Sequence, residues 1–161
     1  MGKRNYLIEG VSGTGKSVVC RALRRRGYAA VDGDNELAYQ GDPQTGAKAE
    51  GRSHEHHIWD VEKVRALVAQ TDDEVTFFCG GSRNVHQFIG LFTEVFILEV
   101  DAATLNARLD SRLDDDWGKS PSQRALILRL HKTKEDIPSG VSIDATQPLE
   151  AVVDAILAHV L

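Results

Sequence analysis

Residues 10–17 read Gly10-Val11-Ser12-Gly13-Thr14-Gly15-Lys16-Ser17, directly behind the apolar run Tyr6-Leu7-Ile8 and ahead of a helix-like stretch, Val18 to Arg26. No other feature constrains the chain as much. A strand, a glycine-rich loop and a helix in that order make a loop that wraps its backbone around phosphate. Glycine lets the backbone come close where a Cβ would collide or forbid the dihedrals. The loop N–H groups and the helix N-terminus supply donors and partial positive charge. Lys16 is placed to reach the outer phosphates and the Ser17 hydroxyl to bind Mg²⁺. Gly10, Ser12, Gly13, Thr14, Gly15, Lys16, Ser17 and Val18 are the expected phosphate-side contacts. A purely structural glycine turn is the alternative.

The rest of the chain alternates strand and helix, the signature of a parallel α/β sheet. Strands are expected at Asn5–Glu9, Tyr28–Asp32, Val75–Cys79, Val95–Val100 and Val141–Ile143. Helices are expected at Lys16–Arg26, Ile58–Gln70, Asn84–Leu91, from Asp101 through Leu105, Leu109 and Leu113, at Ser122–Asp136 and at Leu149–His159. Gly41 to Ser53 reads as loop or irregular helix. This is a single α/β domain over 1–161, a three-layer doubly wound five-stranded parallel sheet of the P-loop NTPase type with a short lid.

At 161 residues, with 42% hydrophobic and 27% charged residues, the chain suits one soluble globular domain. No apolar run approaches the roughly 20 residues that span a bilayer. The first strand begins almost at once, so no leader is expected, and a reducing cytoplasm is the expected setting for Cys20 and Cys79. A net charge of −5 argues against nucleic acid as a partner.

In a doubly wound sheet, ligands sit beyond the carboxyl ends of the strands. After the second expected strand comes Asp32-Gly33-Asp34. In an extended segment the two carboxylates would point the same way. Asp32 is assigned to Mg²⁺ with Ser17, and Asp34 to an acceptor hydroxyl whose proton it takes. A solvated Asp-Gly turn is the other reading. After the third strand, Gly80 and Gly81 allow close approach and Arg83 suits an anionic or polyhydroxylated group. A tight turn with a surface arginine competes with this.

Arg108 and Arg112 share a helix face and lead into a lid at about 113–121, where Gly118 is a hinge candidate and Lys119 a phosphate contact. Ordinary pairing with Asp110 and Asp114 is the alternative, and Asp114-Asp115-Asp116 reads as a solvated face. Thr146, Gln147 and Pro148 follow the last strand on the side where adenine would lie. The acceptor segment is placed at about 34–60, with Arg52 and His57 as contacts. His54, Glu55, His56 and His57 read as a pocket rim, a solvated loop or a metal site.

Together these features resemble the small P-loop kinases of the nucleotide, shikimate and gluconate kinase superfamily, over essentially the whole chain. The phosphate loop is similar to that of gluconate kinase. Asp32-Gly33-Asp34 resembles the Asp-x-Asp of shikimate kinase and the Asp-Gly-Asp of gluconate and adenylylsulfate kinases. Gly80-Gly81 stands where shikimate kinase carries a glycine run, with Ser82 in place of a third glycine. Arg108 and Arg112 resemble the pair that enters the adenylate kinase lid, and Ile143 to Leu149 the adenine-side loop of many relatives. The third strand lacks the Asp-Gly-aromatic-Pro-Arg ending of adenylate kinases, which argues against a nucleoside monophosphate acceptor.

The resemblance implies an ATP- and Mg²⁺-dependent transfer to a hydroxyl of a small molecule: a nucleoside, a sugar or sugar acid, a shikimate-like metabolite or an antibiotic. Lys16, Asp34 and Arg112 would be its catalytic residues. A nucleotide-dependent switch or ATPase that acts through a protein partner is the alternative, and a kinase of RNA ends a third.

Overall fold

The computed structural model describes residues 4–70, 72–113 and 116–160. Five strands, β1 (Arg4–Glu9), β2 (Ala29–Asp32), β5 (Val75–Cys79), β6 (Glu94–Glu99) and β7 (Val141–Asp144), form a parallel sheet in the order β2-β5-β1-β6-β7. The strand that feeds the phosphate loop is therefore central. Side chains alternate across it with period two. Tyr6, Ile8, Phe77, Phe96 and Leu98 face one layer, while Leu7, Phe78, Val95 and Ile97 face the other.

The first layer holds α1 (Lys16–Arg25), α4 (Ala102–Asp110), α5 (Pro121–Thr133) and α6 (Leu149–Val160), through buried residues such as Leu23, Leu105, Ile127 and Ile156. The second layer holds α3 (Val61–Ala69) and the 3₁₀ turns Val85–Gln87 and Ile89–Leu91, packed through Val64, Phe88 and Phe92. Asp101 caps α4 by accepting from Thr104 N at 2.7 Å, as its position ahead of an apolar repeat predicts. Among the described residues no helix is long and apolar enough to cross a membrane.

Four expectations change. Ile58 does not open a helix: β3 (Ala38–Gln40) and β4 (His57–Trp59) pair antiparallel, and Asp60 caps α3 by accepting from Glu62 N and Lys63 N. Asn84 to Leu91 forms two 3₁₀ turns rather than one helix. Leu113 is 74% exposed, so it does not continue the buried stripe of Leu105 and Leu109. Asp34 is not extended, because Gly33–Glu36 forms a single helical turn, α2. Asp32 ends β2 while Asp34 lies in the turn, so the two do not keep the shared direction of an extended segment.

Trp59 ties this part of the chain together. Its backbone is held on both sides by the amide of Asn84, with Trp59 N donating to Oδ1 at 3.1 Å and Asn84 Nδ2 donating to its carbonyl at 2.9 Å. Its fully buried indole lies so close to Gly33 that a Cβ there would fall 2.1 Å from Cζ2. Gly33→Ala is therefore expected to cost about 1–3 kcal/mol or more, as overpacking of a filled core does. A fall in the urea midpoint at unchanged m-value checks this, and an unchanged midpoint would show that the indole yields freely.

Candidate active site

The phosphate loop follows β1 without a break and is built as its glycines require. Gly13 and Gly15 take φ of 95° and 102°, values that disfavour a side chain. A Cβ at Gly13 would also lie 2.7 Å from Leu105 Cδ1, so the helix α4 packs directly on the loop. Thr14 is buried and its hydroxyl donates to Val11 O at 2.8 Å, which closes the loop on itself. Lys16 is half-buried. Its ammonium turns inward and donates to the Gly10 carbonyl. Burial lowers its pKa, with the nearby Glu9 and Asp34 carboxylates opposing. Ser17 and Val18 stand exposed in the first turn of α1.

The loop opens onto a cavity of about 690 Å³. That volume lies within the range of small-molecule sites. Gly10, Ser12, Gly13, Gly15, Lys16, Ser17 and Val18 line it, together with Asp34, Asn35, Tyr39, Gln40, Arg52, Ser53 and His57. Lys16, Arg52, Arg83, Arg108 and Arg112 face it, against Asp34 and Asp136. The chain is acidic overall, yet its cavity is cationic, which favours an anionic occupant.

Asp34 is held by three donors on one oxygen. His57 Nε2 lies 2.9 Å from Oδ1, and Trp59 Nε1 and Gly81 N each donate to it at 3.3 Å. Burial pushes its pKa up, but the His57 hydrogen bond and the Lys16 charge outweigh this and hold it below the usual carboxylate value. Gly80 makes the approach possible: a Cβ there would lie 2.7 Å from Asp34 Oδ1. Gly80 itself sits behind the cavity wall, while Gly81 lines it.

Asp32 does not line the cavity. Its carboxylate accepts from Asn35 Nδ2 at 2.8 Å and its backbone N donates to Glu36 Oε2 at 2.6 Å. Among the described residues no group of three or more histidine, cysteine or carboxylate side chains could hold a metal. The histidine segment therefore forms no metal cluster. His54 and His57 line the cavity, and His54 meets Arg83 and Asp136, with its ring stacked 6.1 Å from that of Trp117. Burial and the Arg83 charge lower the His54 pKa.

The two helix arginines are bound to the loop. Arg108 donates to Thr14 O at 3.0 Å and to Ala145 O at 2.7 Å, so it joins the phosphate loop to the segment after β7. Arg112 donates to Ser12 Oγ at 3.0 Å and to Trp117 O at 2.6 Å. Lys119 turns away and donates to Asp110 O at 2.9 Å, while Arg124 pairs with Asp110 at 2.8 Å. Gly118 takes φ of 96°, as a turn requires. Asp114 and Asp115 lie outside the described residues. Thr146, Gln147 and Pro148 are off the cavity, and Thr146 N and Gln147 Nε2 fold back onto Asp144.

Sequence reasoning overlooked Glu9, Trp59 and Trp117. Glu9 ends β1 and is completely buried, next to Gly10 and Lys16. A charge at the close of an apolar run, one residue before the loop, was the available signal.

The family model described as AAA domain matches residues 7–129. No curated protein matches the chain in sequence. Among solved structures, the fold is similar to a sugar kinase from Janibacter sp. HTCC2649, with TM-score 0.59 and 18% identity over 97% of this chain and 93% of that one. A gluconokinase from Sinorhizobium meliloti 1021 gives 0.59 and 19%, over 96% and 90%. Shikimate kinase from Aquifex aeolicus vf5 gives 0.59 and 16%, over 97% and 95%. At these identities the likeness is one of fold.

Proposed function

The chain belongs to the AAA domain family, and from that premise we propose that it is an ATP-dependent phosphotransferase acting on a hydroxyl of a small molecule. One observation carries the reading: the loop lysine and a half-buried carboxylate, Asp34, line the same chamber. A switch needs phosphate contacts but no further cavity wall, and here Asn35, Tyr39, Gln40, Arg52, Ser53 and His57 line the same cavity.

In this reading the loop N–H groups and Lys16 hold the β- and γ-phosphates. Arg112, already at Ser12, stabilises charge on the moving phosphoryl group. Arg108, which also reaches Ala145 just before Thr146, bounds the adenine side, with Thr146–Pro148 set back from the cavity. Asp34, His57, Gly81, Arg83 and Arg52 orient the acceptor, whose oxygen bonds to the γ-phosphorus as the bond to ADP breaks and whose proton passes to Asp34. Mg²⁺, when bound, would neutralise phosphate charge. The donor set fits it, since Mg²⁺ keeps its waters and takes few protein ligands beside the phosphates. Ser17 is the direct candidate and Asp32, set back from the cavity, the outer one.

A nucleoside, a sugar or sugar acid, a shikimate-like metabolite and an antibiotic are the acceptor classes in play. ADP release measured against a panel of such hydroxyl compounds tests the reading. Stimulation by a small acceptor is expected. Release that no compound raises, but that a protein partner does, would replace the kinase with a switch.

A further inference from the structure

Glu9 has no task in the reaction above, yet it occupies a demanding position. It is 0% exposed and stands one residue before the phosphate loop. Its Oε1 accepts from Gly10 N at 3.2 Å, while Oε2 is buried and has no partner among the described residues. A buried carboxylate with an idle oxygen is costly unless nearby charge compensates it.

The compensation comes from two cations. Lys16 on α1 and Arg83 after β5 act on Glu9, and Asp34 on α2 opposes them. Lys16 folds back onto the carbonyl of Gly10, the residue whose N–H meets Glu9. Gly81 leaves the room: a Cβ there would lie 2.5 Å from Glu9 Oε1 and 3.3 Å from Arg83 Nη2.

We propose that Glu9 is the positioning counter-ion of Lys16 in the empty site, and that it takes up a proton from solvent when nucleotide phosphate binds. The inference rests on the nucleotide-binding half of the reading above and on nothing about the acceptor. An incoming phosphate recruits the Lys16 ammonium and adds negative charge in front of the loop. Arg83 brings no new charge to replace it: it already acts on Glu9, and its Nη1 is held between His54 and Asp136. Water has no access to Oε2. Neutralisation by a proton is the response left to a buried group that loses its cation.

The starting point suits such a response. Burial holds the Glu9 carboxyl at about 7, against the downward pull of Lys16 and Arg83. Withdrawing Lys16 moves it further up, through the neutral range. Binding with proton uptake weakens as pH rises, so nucleotide affinity should fall by up to about tenfold per pH unit above pH 7.

The experiment binds Mg²⁺ and a non-hydrolysable ATP analogue to the wild type and to Glu9→Gln, with no acceptor present. Infrared difference spectra should show a protonated-carboxyl band appearing on binding in the wild type and not in Glu9→Gln. Calorimetry in buffers of different ionisation enthalpy should show uptake of about half a proton or more at pH 7.5. Binding heat without the new band, or the same band in both proteins, would overturn the inference while leaving the nucleotide site intact. Should Glu9→Gln not fold, the wild-type band and uptake decide alone: both present supports the proposal, either missing ends it. A folded wild type that gives no binding heat at all would overturn both this inference and the nucleotide site.

Discussion

Lys16→Ala should remove about half or more of the rise in melting temperature that Mg·ATP gives the wild type. A ligand at a hundred times its dissociation constant stabilises the native state by about 2.7 kcal/mol. For a domain of this size that is roughly 5–10 °C. Hydrogen bonds from a charged donor contribute about 1.5–3 kcal/mol each. Losing the ammonium should therefore weaken binding by about ten- to a hundredfold and shrink the shift to about 1–6 °C at the same ligand concentration. Turnover should fall by about 10²–10³-fold, as when a donor to developing charge is removed.

The comparison must use shifts and not absolute melting temperatures. Lys16 is not the solvent-facing side chain that an empty phosphate loop suggests. It donates to Gly10 O and faces the buried Glu9 carboxylate. Truncating it therefore changes the empty protein as well. Equal nucleotide-induced shifts in both proteins would remove Lys16 from the site.

The central sheet was legible because its signals are local. An apolar run of strand length bounded by glycine, as at Val75–Cys79 before Gly80, has few other uses. The β3–β4 pair was not legible, because its strands are three residues each and lie in polar sequence. Ile58 and Trp59 carry the same apolar character into a strand that they would carry into a helix. What decides between the two is Asn84, whose amide pairs with the Trp59 backbone across 25 positions.

The same holds for the site. The loop could be read from spacing, since each residue acts through its neighbours. Asp34 could be read as a cavity residue, but its conformation could not. Gly33 permits extended and helical backbones alike, and only the packed Trp59 indole selects the turn. The signal for Glu9 was a charge closing an apolar run, but its surroundings were not legible, because its neighbours Gly81 and Arg83 reach it from a different strand end.

Asp34→Asn should keep Mg·ATP binding and lose most acceptor phosphorylation, by about 10²–10⁴-fold. Three donors converge on Oδ1, from His57, Trp59 and Gly81, and no described residue donates to Oδ2. An asparagine at this position has one oxygen and one NH₂. Its oxygen must take the place of Oδ1, because the indole N–H and the backbone N–H cannot face another donor. The NH₂ then occupies the place of Oδ2, where the acceptor hydroxyl needs a group to receive its proton. The substitution thus preserves the Trp59 anchor and reverses the polarity of the free position. Asp34 is also a weak base, since its hydrogen bonds hold its pKa low. In a loose phosphoryl-transfer transition state the proton leaves late, so orienting the hydroxyl matters more than basicity. A single-turnover assay with the acceptor found by the panel measures the loss, and an unchanged melting temperature shows that the fold survived. Wild-type transfer by Asp34→Asn would return Asp34 to a structural role, as the carboxylate that seats Trp59 against Gly80.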